Sequence, residues 1–171
     1  VDAIYENIVS KKLYITGGLG ARDNNEAFGE NYELPNATAY CETCASVAGC
    51  MFGLRMFRMH GQAKYFDFVE RLLYNNVLDG LSIEGDHFFY PNRLETSSRG
   101  QERSEWFGTS CCPTNLSRLI PSMPGYVYAT QGNTLFVNLF VGSESEIALK
   151  DGNVVLSQNT DYPWDGRVEF L

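Results

Sequence analysis

The stretch Ile120-Pro121-Ser122-Met123-Pro124-Gly125-Tyr126-Val127-Tyr128 separates two kinds of periodicity. On its C-terminal side alternation dominates: Tyr126-Val127-Tyr128, Leu135 to Val141, Glu146-Ile147-Ala148-Leu149, Val154-Val155-Leu156 and Val168-Glu169-Phe170. Such period-two runs read as strands, and the turns Gly132-Asn133 and Asp151-Gly152-Asn153 between them favour antiparallel hairpins. On the N-terminal side Pro113 suits the first turn of a helix reaching about Ser122, with Thr114, Asn115, Leu116, Leu119 and Ile120 facing inward. The chain therefore reads as mainly α up to residue 123 and β from residue 124.

Further upstream the helical pattern continues. Residues 1 to about 12 resemble the end of a helix, with Ile4, Ile8 and Val9 near one face and Lys11 and Lys12 at its C-terminus. A helix is expected from Thr38 to about His60, with Asn36 and Thr38 both able to cap it. Its small residues Ala45, Ala48, Gly49 and Gly53 predict close packing against neighbours. A second helix is expected over 63–81, with Phe66, Val69, Leu72, Leu73, Asn76 and Val77 in register, and so short a connection makes the two an antiparallel hairpin. Between the first two helices, Gly17-Gly18-Leu19-Gly20 lacks the Gly-Lys-Ser/Thr of a phosphate loop and reads as a tight turn. Residues 21–37 form a polar, acid-rich loop holding Arg22, Asp23, Glu26, Glu30 and Glu33, and a long loop of that kind is more often functional or disordered than filler. Ile83 to Tyr90 reads as short strands around a turn, and Thr96 to Glu105 is polar and expected to be mobile. Asn36-Ala37-Thr38 and Asn115-Leu116-Ser117 match glycosylation acceptors but read as a helix cap and a helix interior.

The formal charge of −8 argues against nucleic acid as a partner, since phosphate neutralisation needs clustered Lys and Arg, and no polybasic membrane patch is present. No apolar run is long enough to cross a bilayer. An opening at Val1 and a close on Val168-Glu169-Phe170-Leu171 suggest a segment of a longer protein. With 44% apolar residues it has enough for a core.

Five cysteines, Cys41, Cys44, Cys50, Cys111 and Cys112, make a poor disulfide framework. Metal or catalytic thiols read better, and reduced thiols favour a cytoplasmic location. On a regular helix, at about 100° per residue, Cys41 and Cys44 share a face and would be a ligand pair. If the first turn is irregular, Glu42 and Cys44 converge instead. Adjacent Cys111 and Cys112 cannot easily bond to each other, but a turn ahead of a helix can bring both to one ion. Zinc accepts this mixture of thiolate and carboxylate. Coordination or a helix N-terminus also keeps a thiolate ionised and nucleophilic, and Glu26 and Glu30 are the loop carboxylates able to serve as acid and base. Spacing alone balances this against buried thiols in a helical core.

Tyr14-Ile15-Thr16-Gly17-Gly18-Leu19-Gly20, Glu26-Ala27-Phe28, Tyr32-Glu33-Leu34-Pro35-Asn36, Cys41-Glu42-Thr43-Cys44-Ala45-Ser46 and Ser110-Cys111-Cys112-Pro113-Thr114-Asn115 together resemble glycoside hydrolase family 127, the β-L-arabinofuranosidases. The resemblance runs over nearly the whole chain. It implies that residues 1–123 are the C-terminal segment of an (α/α)6-barrel catalytic domain and residues 124–171 the beginning of an antiparallel β-sandwich. It implies zinc (Zn2+) on Glu42, Cys44, Cys111 and Cys112, with Cys111 as nucleophile forming a thioglycosyl intermediate and Glu26 as acid/base. Glu70 and Tyr90 match positions lining the sugar pocket. Cys41 departs from the pattern and competes with Glu42 as a ligand; the longer match favours Glu42. Cys50 reads as a core thiol. The implied partner is an L-arabinofuranosyl oligosaccharide or glycoconjugate, and a homo-oligomer is left open. A non-enzymatic, zinc-stapled carbohydrate-binding or structural module and a related glycosidase of different sugar specificity are the alternatives.

Overall fold

The computed structural model describes residues 1–96 and 102–171. Of the polar stretch expected to be mobile, residues 97–101 lie outside the described residues. The chain divides into two compact units, Val1–Ile120 and Pro121–Leu171.

In the first unit, α1 (Asp2–Lys11) is followed by a loop, then by α2 (Thr43–His60) and α3 (Lys64–Leu72). Gly61, in left-handed conformation (φ 63°), ends α2 and returns its N–H to Phe57 O. The reversal lays α3 against α2. Small residues set how close they come: a Cβ at Gly49 would lie 2.7 Å from Leu72 Cδ1, and one at Gly53 only 2.5 Å from Val69 Cγ2. Tyr5 on α1 packs edge-on against Tyr65 (centroids 4.7 Å apart) and donates to Lys64 O at 3.0 Å, joining α1 to the hairpin.

The helix expected to start at Thr38 starts at Thr43 instead, so Asn36 and Thr38 cap nothing. Residues 40–43 are taken by pairing with the segment around Tyr90, as described below. The second helix is regular only to Leu72. It then widens into a π-helical turn, Leu73–Val77, with Leu78 N donating to Leu73 O. Asn76, expected in register with Leu72 and Leu73, lies within this turn and is 1% exposed. The strands expected over 83–90 reduce to isolated bridges, Leu81 with Phe88 and Phe88 with Ser104. The third helix, α4 (Cys111–Ser122), begins earlier than expected, so both cysteines lie in its first turn. Leu116 and Leu119 are buried, while Thr114, Asn115 and Ile120 are only half-buried.

In the second unit, Pro124–Val127 forms a helical turn, α5, and the first strand begins at Tyr128 rather than near Pro124. Strands β1 (Tyr128–Gln131) and β2 (Thr134–Val137) make a two-residue hairpin through Gly132 (φ 62°) and Asn133. Strands β3 (Ser143–Leu149), β4 (Gly152–Thr160) and β5 (Val168–Phe170) form an antiparallel meander in sequence order. Residues 138–141, expected to extend a strand, lie outside β2. No helix of the described residues is long and apolar enough to cross a membrane.

Candidate metal and nucleophile site

Two short extended segments build the site. Tyr40 to Thr43 runs antiparallel to Phe89 to Asn92: Thr43 N donates to Tyr90 O at 3.0 Å, Asn92 N to Tyr40 O at 3.1 Å, and the Thr43 hydroxyl to Phe89 O at 2.8 Å. Within the first segment Cys41 has a left-handed backbone, φ 40°, which a residue with a Cβ adopts only under constraint. The constraint is visible. Cys41 N donates to Gly20 O at 2.8 Å, and Cys41 O accepts from Asn92 Nδ2 at 2.8 Å and Asn76 Nδ2 at 3.3 Å. Its thiol is fully buried beside Tyr14, Ala21 and Ala39, against Gly18, where an added Cβ would fall 2.7 Å from the sulfur. Burial pushes that thiol up to about 12, so it stays protonated. Cys41 thus turns inward while Glu42 turns the other way, and Cys44 projects from the first turn of α2. Of the two arrangements the sequence left open, the irregular one is present.

Glu42, Cys44, Cys111 and Cys112 converge, each offering a donor atom within 4.8 Å of the others. Cys44 and Cys112 sulfurs are 3.3 Å apart and those of Cys111 and Cys112 3.9 Å; Glu42 Oε1 is 3.5 Å from Cys111 Sγ and 3.7 Å from Cys112 Sγ. A tetrahedral zinc site, with bonds of about 2.3 Å to sulfur and about 2.0–2.2 Å to oxygen, has S–S edges of about 3.8 Å and S–O edges of about 3.5 Å. The four donors therefore fit such an ion. Three thiols and one carboxylate are also a donor set that zinc prefers over magnesium or calcium.

The electrostatics point the same way. The hydrogen bond with Cys112, then that from Asn115 Nδ2 at 3.2 Å, pull the Cys44 thiol below its usual value. Burial pushes Cys111 up, and the hydrogen bond with Cys44 together with burial pushes Cys112 up strongly. Ionising all three needs a cation among them, and a coordinating thiol is deprotonated outright.

Beside the cluster stands Glu26. It closes a 3-10 turn, Asn24–Glu26, and both Asn25 (φ 62°) and Glu26 (φ 50°) are left-handed. The turn is clamped by Ala27 N to Arg22 O at 3.0 Å and by Glu26 N to Asp23 O at 3.1 Å. The exposed Arg22–Glu33 pair, at 2.6 Å, ties the same loop together. Glu26 Oε1 accepts from two phenols, Tyr40 at 3.1 Å and Tyr90 at 3.2 Å. The Tyr90 hydroxyl oxygen is in turn 3.0 Å from Cys111 Sγ. That bond holds the Tyr90 phenol well above its usual range, so it remains a donor. A cavity of about 240 Å³ opens at Glu26 and Glu42, walled by Leu19, Phe28, Tyr40 and Phe52.

Glu70 is placed differently from the other anticipated site residues. It is half-buried on α3 near Tyr74, whose phenol is raised by burial and then by the Glu70 charge, and it is not one of the four clustered donors. Two contributors were not anticipated as site residues. Tyr40 precedes Glu42 by two residues in an extended segment, and such pairs share a side. Asn115 follows Cys111 and Cys112 by four and three residues on one helix, and so shares their face.

Known proteins resemble this chain over nearly its whole length. Residues 1–125 match the family model described as "Beta-L-arabinofuranosidase, GH127 catalytic domain", and residues 134–171 the one described as "Beta-L-arabinofuranosidase, GH127 middle domain". A non-reducing end β-L-arabinofuranosidase of Bifidobacterium longum subsp. longum is 36% identical over 97% of this chain and 27% of its own length. A solved GH127 β-arabinofuranosidase is 50% identical with a TM-score of 0.95, covering 99% of this chain and 26% of that one. The GH127 β-L-arabinofuranosidase of Geobacillus stearothermophilus T6 is 40% identical with a TM-score of 0.93, over 97% of this chain and 28% of that one. The chain spans little more than a quarter of these relatives.

Proposed function

The chain belongs to glycoside hydrolase family 127, and we propose that it carries the nucleophile, the acid/base and the zinc ligands of a retaining β-L-arabinofuranosidase. Its helices followed by antiparallel strands accord with the C-terminal part of an (α/α)6 barrel and the start of a β-sandwich. In the proposal residues 1–123 belong to the first and 124–171 to the second. The substrate is an L-arabinofuranosyl oligosaccharide or glycoconjugate, with Tyr90 and Glu70 assigned to sugar contacts.

One observation carries the reading. Cys111 Sγ and Glu26 Oε1 lie 3.0 and 3.2 Å from the Tyr90 hydroxyl oxygen, which keeps them no more than 6.2 Å apart. Retaining glycosidases hold nucleophile and acid/base about 5–5.5 Å apart, whereas inverting ones leave about 6.5–9.5 Å for a water. A purely structural zinc site is closed; here Cys111 is half-buried, with a carboxylate one phenol away.

Glu42, Cys44, Cys111 and Cys112 would hold the zinc ion, which when bound keeps the thiols ionised at neutral pH and makes sulfur a tolerable leaving group. Cys111 Sγ attacks the anomeric carbon as Glu26 passes its proton to the glycosidic oxygen. The C–O bond breaks, the aglycone leaves as an alcohol, and a thioglycosyl intermediate remains on Cys111. Glu26, now a carboxylate, takes a proton from water, and the water oxygen attacks the same carbon. The C–S bond breaks and its electron pair returns to Cys111. Two displacements at one carbon retain its configuration.

Screening the full-length enzyme against pentofuranosides and following the product by NMR tests this directly. β-L-arabinofuranose should appear first, with the α anomer arising only by later mutarotation; α product at the outset would overturn the two-step reading. Glu26→Gln should lower kcat/KM by about 10²–10⁴-fold on alkyl glycosides and far less on activated aryl glycosides, whose leaving groups need no proton. An equal loss on both would remove Glu26 as the acid.

A further inference from the structure

We propose that Tyr40 is a positioning residue for Glu26: its phenol fixes Oε1 of the carboxyl group, so that Oε2 is the oxygen that exchanges a proton with the glycosidic oxygen and with water. The inference rests on the acid/base assignment of Glu26 made above.

Glu26 sits on an exposed loop, and a carboxyl group there is free to rotate about its last torsion unless something holds it. Among the described residues, its carboxylate is held by two phenols, and both donate to the same oxygen. Oε1 is thereby used twice and Oε2 not at all. The two phenols are unequal. Tyr90 also contacts Cys111, so any change there disturbs the nucleophile as well. Among the described residues Tyr40 hydrogen-bonds to none of the four clustered donors; its phenol donates to Glu26 and lies within hydrogen-bond reach of the Tyr90 phenol. It is also the better anchored. Tyr40 is 9% exposed, its ring lies 6.2 Å from that of Tyr90, and its carbonyl accepts from Asn92 N at 3.1 Å. The same short extended segment carries Glu42 two residues on. A rigid backbone thus links the aim of the acid to the position of a metal-site carboxylate, while Glu26 itself arrives from a separate loop.

The test is Tyr40→Phe in the full-length, zinc-loaded enzyme, on an alkyl and a nitrophenyl glycoside of the same sugar. The alkyl glycoside should lose about 10- to 100-fold in kcat, the range expected for one hydrogen bond to a charged group. The nitrophenyl glycoside should lose less than about 3-fold, with KM for both, the melting temperature and the zinc content unchanged. In a Glu26→Gln background, adding Tyr40→Phe should cost nothing further, because the amide that replaces the acid has no proton to deliver however it is aimed. Equal losses on the two substrates, or a full Tyr40→Phe effect persisting in the Glu26→Gln background, would overturn the proposal. Glu26→Gln serves as the control for the underlying reading. If it is itself indifferent to the leaving group, the acid assignment fails and Tyr40 falls with it. If Glu26→Gln is sensitive and Tyr40→Phe is not, only the role of Tyr40 is lost.

Discussion

Cys111→Ala in the full-length enzyme will lose at least about 10³-fold in kcat, since removing a nucleophile removes a covalent step that the remaining groups cannot replace. The expectation follows from where the thiol stands. Cys112 is fully buried among the clustered sulfurs, whereas Cys111 is half-buried and reaches out to the Tyr90 hydroxyl. The two cysteines are chain neighbours in the first turn of α4, yet only one has a free approach. Mass spectrometry of wild-type protein quenched during turnover should find one pentosyl unit on the peptide containing Cys111. Wild-type-like activity in Cys111→Ala, or the adduct on another residue, would remove it as the nucleophile. Measuring zinc in the same sample separates a lost nucleophile from a lost metal.

Cys112→Ser, or prolonged chelation of the wild type, is expected to do something different. Structural zinc in small thiolate sites is worth about 10–16 kcal/mol of apparent binding free energy, much of it returned as folding stability. Cys112 contributes its sulfur from a position with no exposure to solvent. Its loss should release the metal, abolish turnover and lower the melting temperature by on the order of 5–10 °C. Zinc added back should restore both properties to the chelated wild type and neither to Cys112→Ser. Metal-free protein with full activity and an unchanged melting temperature would sink the zinc assignment, and with it the account of how Cys111 stays ionised.

Much of the architecture was legible because it rests on periodicity. The change from helical to alternating spacing near Pro124 needs only a count of apolar positions, and it lies within four residues of the first strand, Tyr128–Gln131. What was not legible rests on single torsions and on distant partners. Asn36 and Thr38 have good capping chemistry, but Tyr40 to Thr43 pairs with a segment nearly fifty residues away, and no local signal reports that. The choice between Cys41 and Glu42 depends on one positive φ at Cys41, imposed by Gly20, Asn76 and Asn92 from three other parts of the chain. The π-helical turn at Leu73–Val77 has no compositional mark. Glu26 could be singled out by resemblance, yet the phenol of Tyr40 that holds it was passed over, because a tyrosine ahead of a cysteine cluster is an ordinary core residue by composition.

The thiols of Cys44 and Cys112 meet across 68 residues of chain. During synthesis the Glu42–Cys44 half therefore emerges well before the Cys111–Cys112 half exists. Until then a metal ion has only two protein donors, and the loop must still be closed against its entropy. The centre is a late event in the life of the polypeptide. A nascent chain stalled between the two halves should hold zinc weakly and leave its cysteines open to oxidation, so the interval between translating Cys44 and Cys112 is when this protein is chemically most vulnerable.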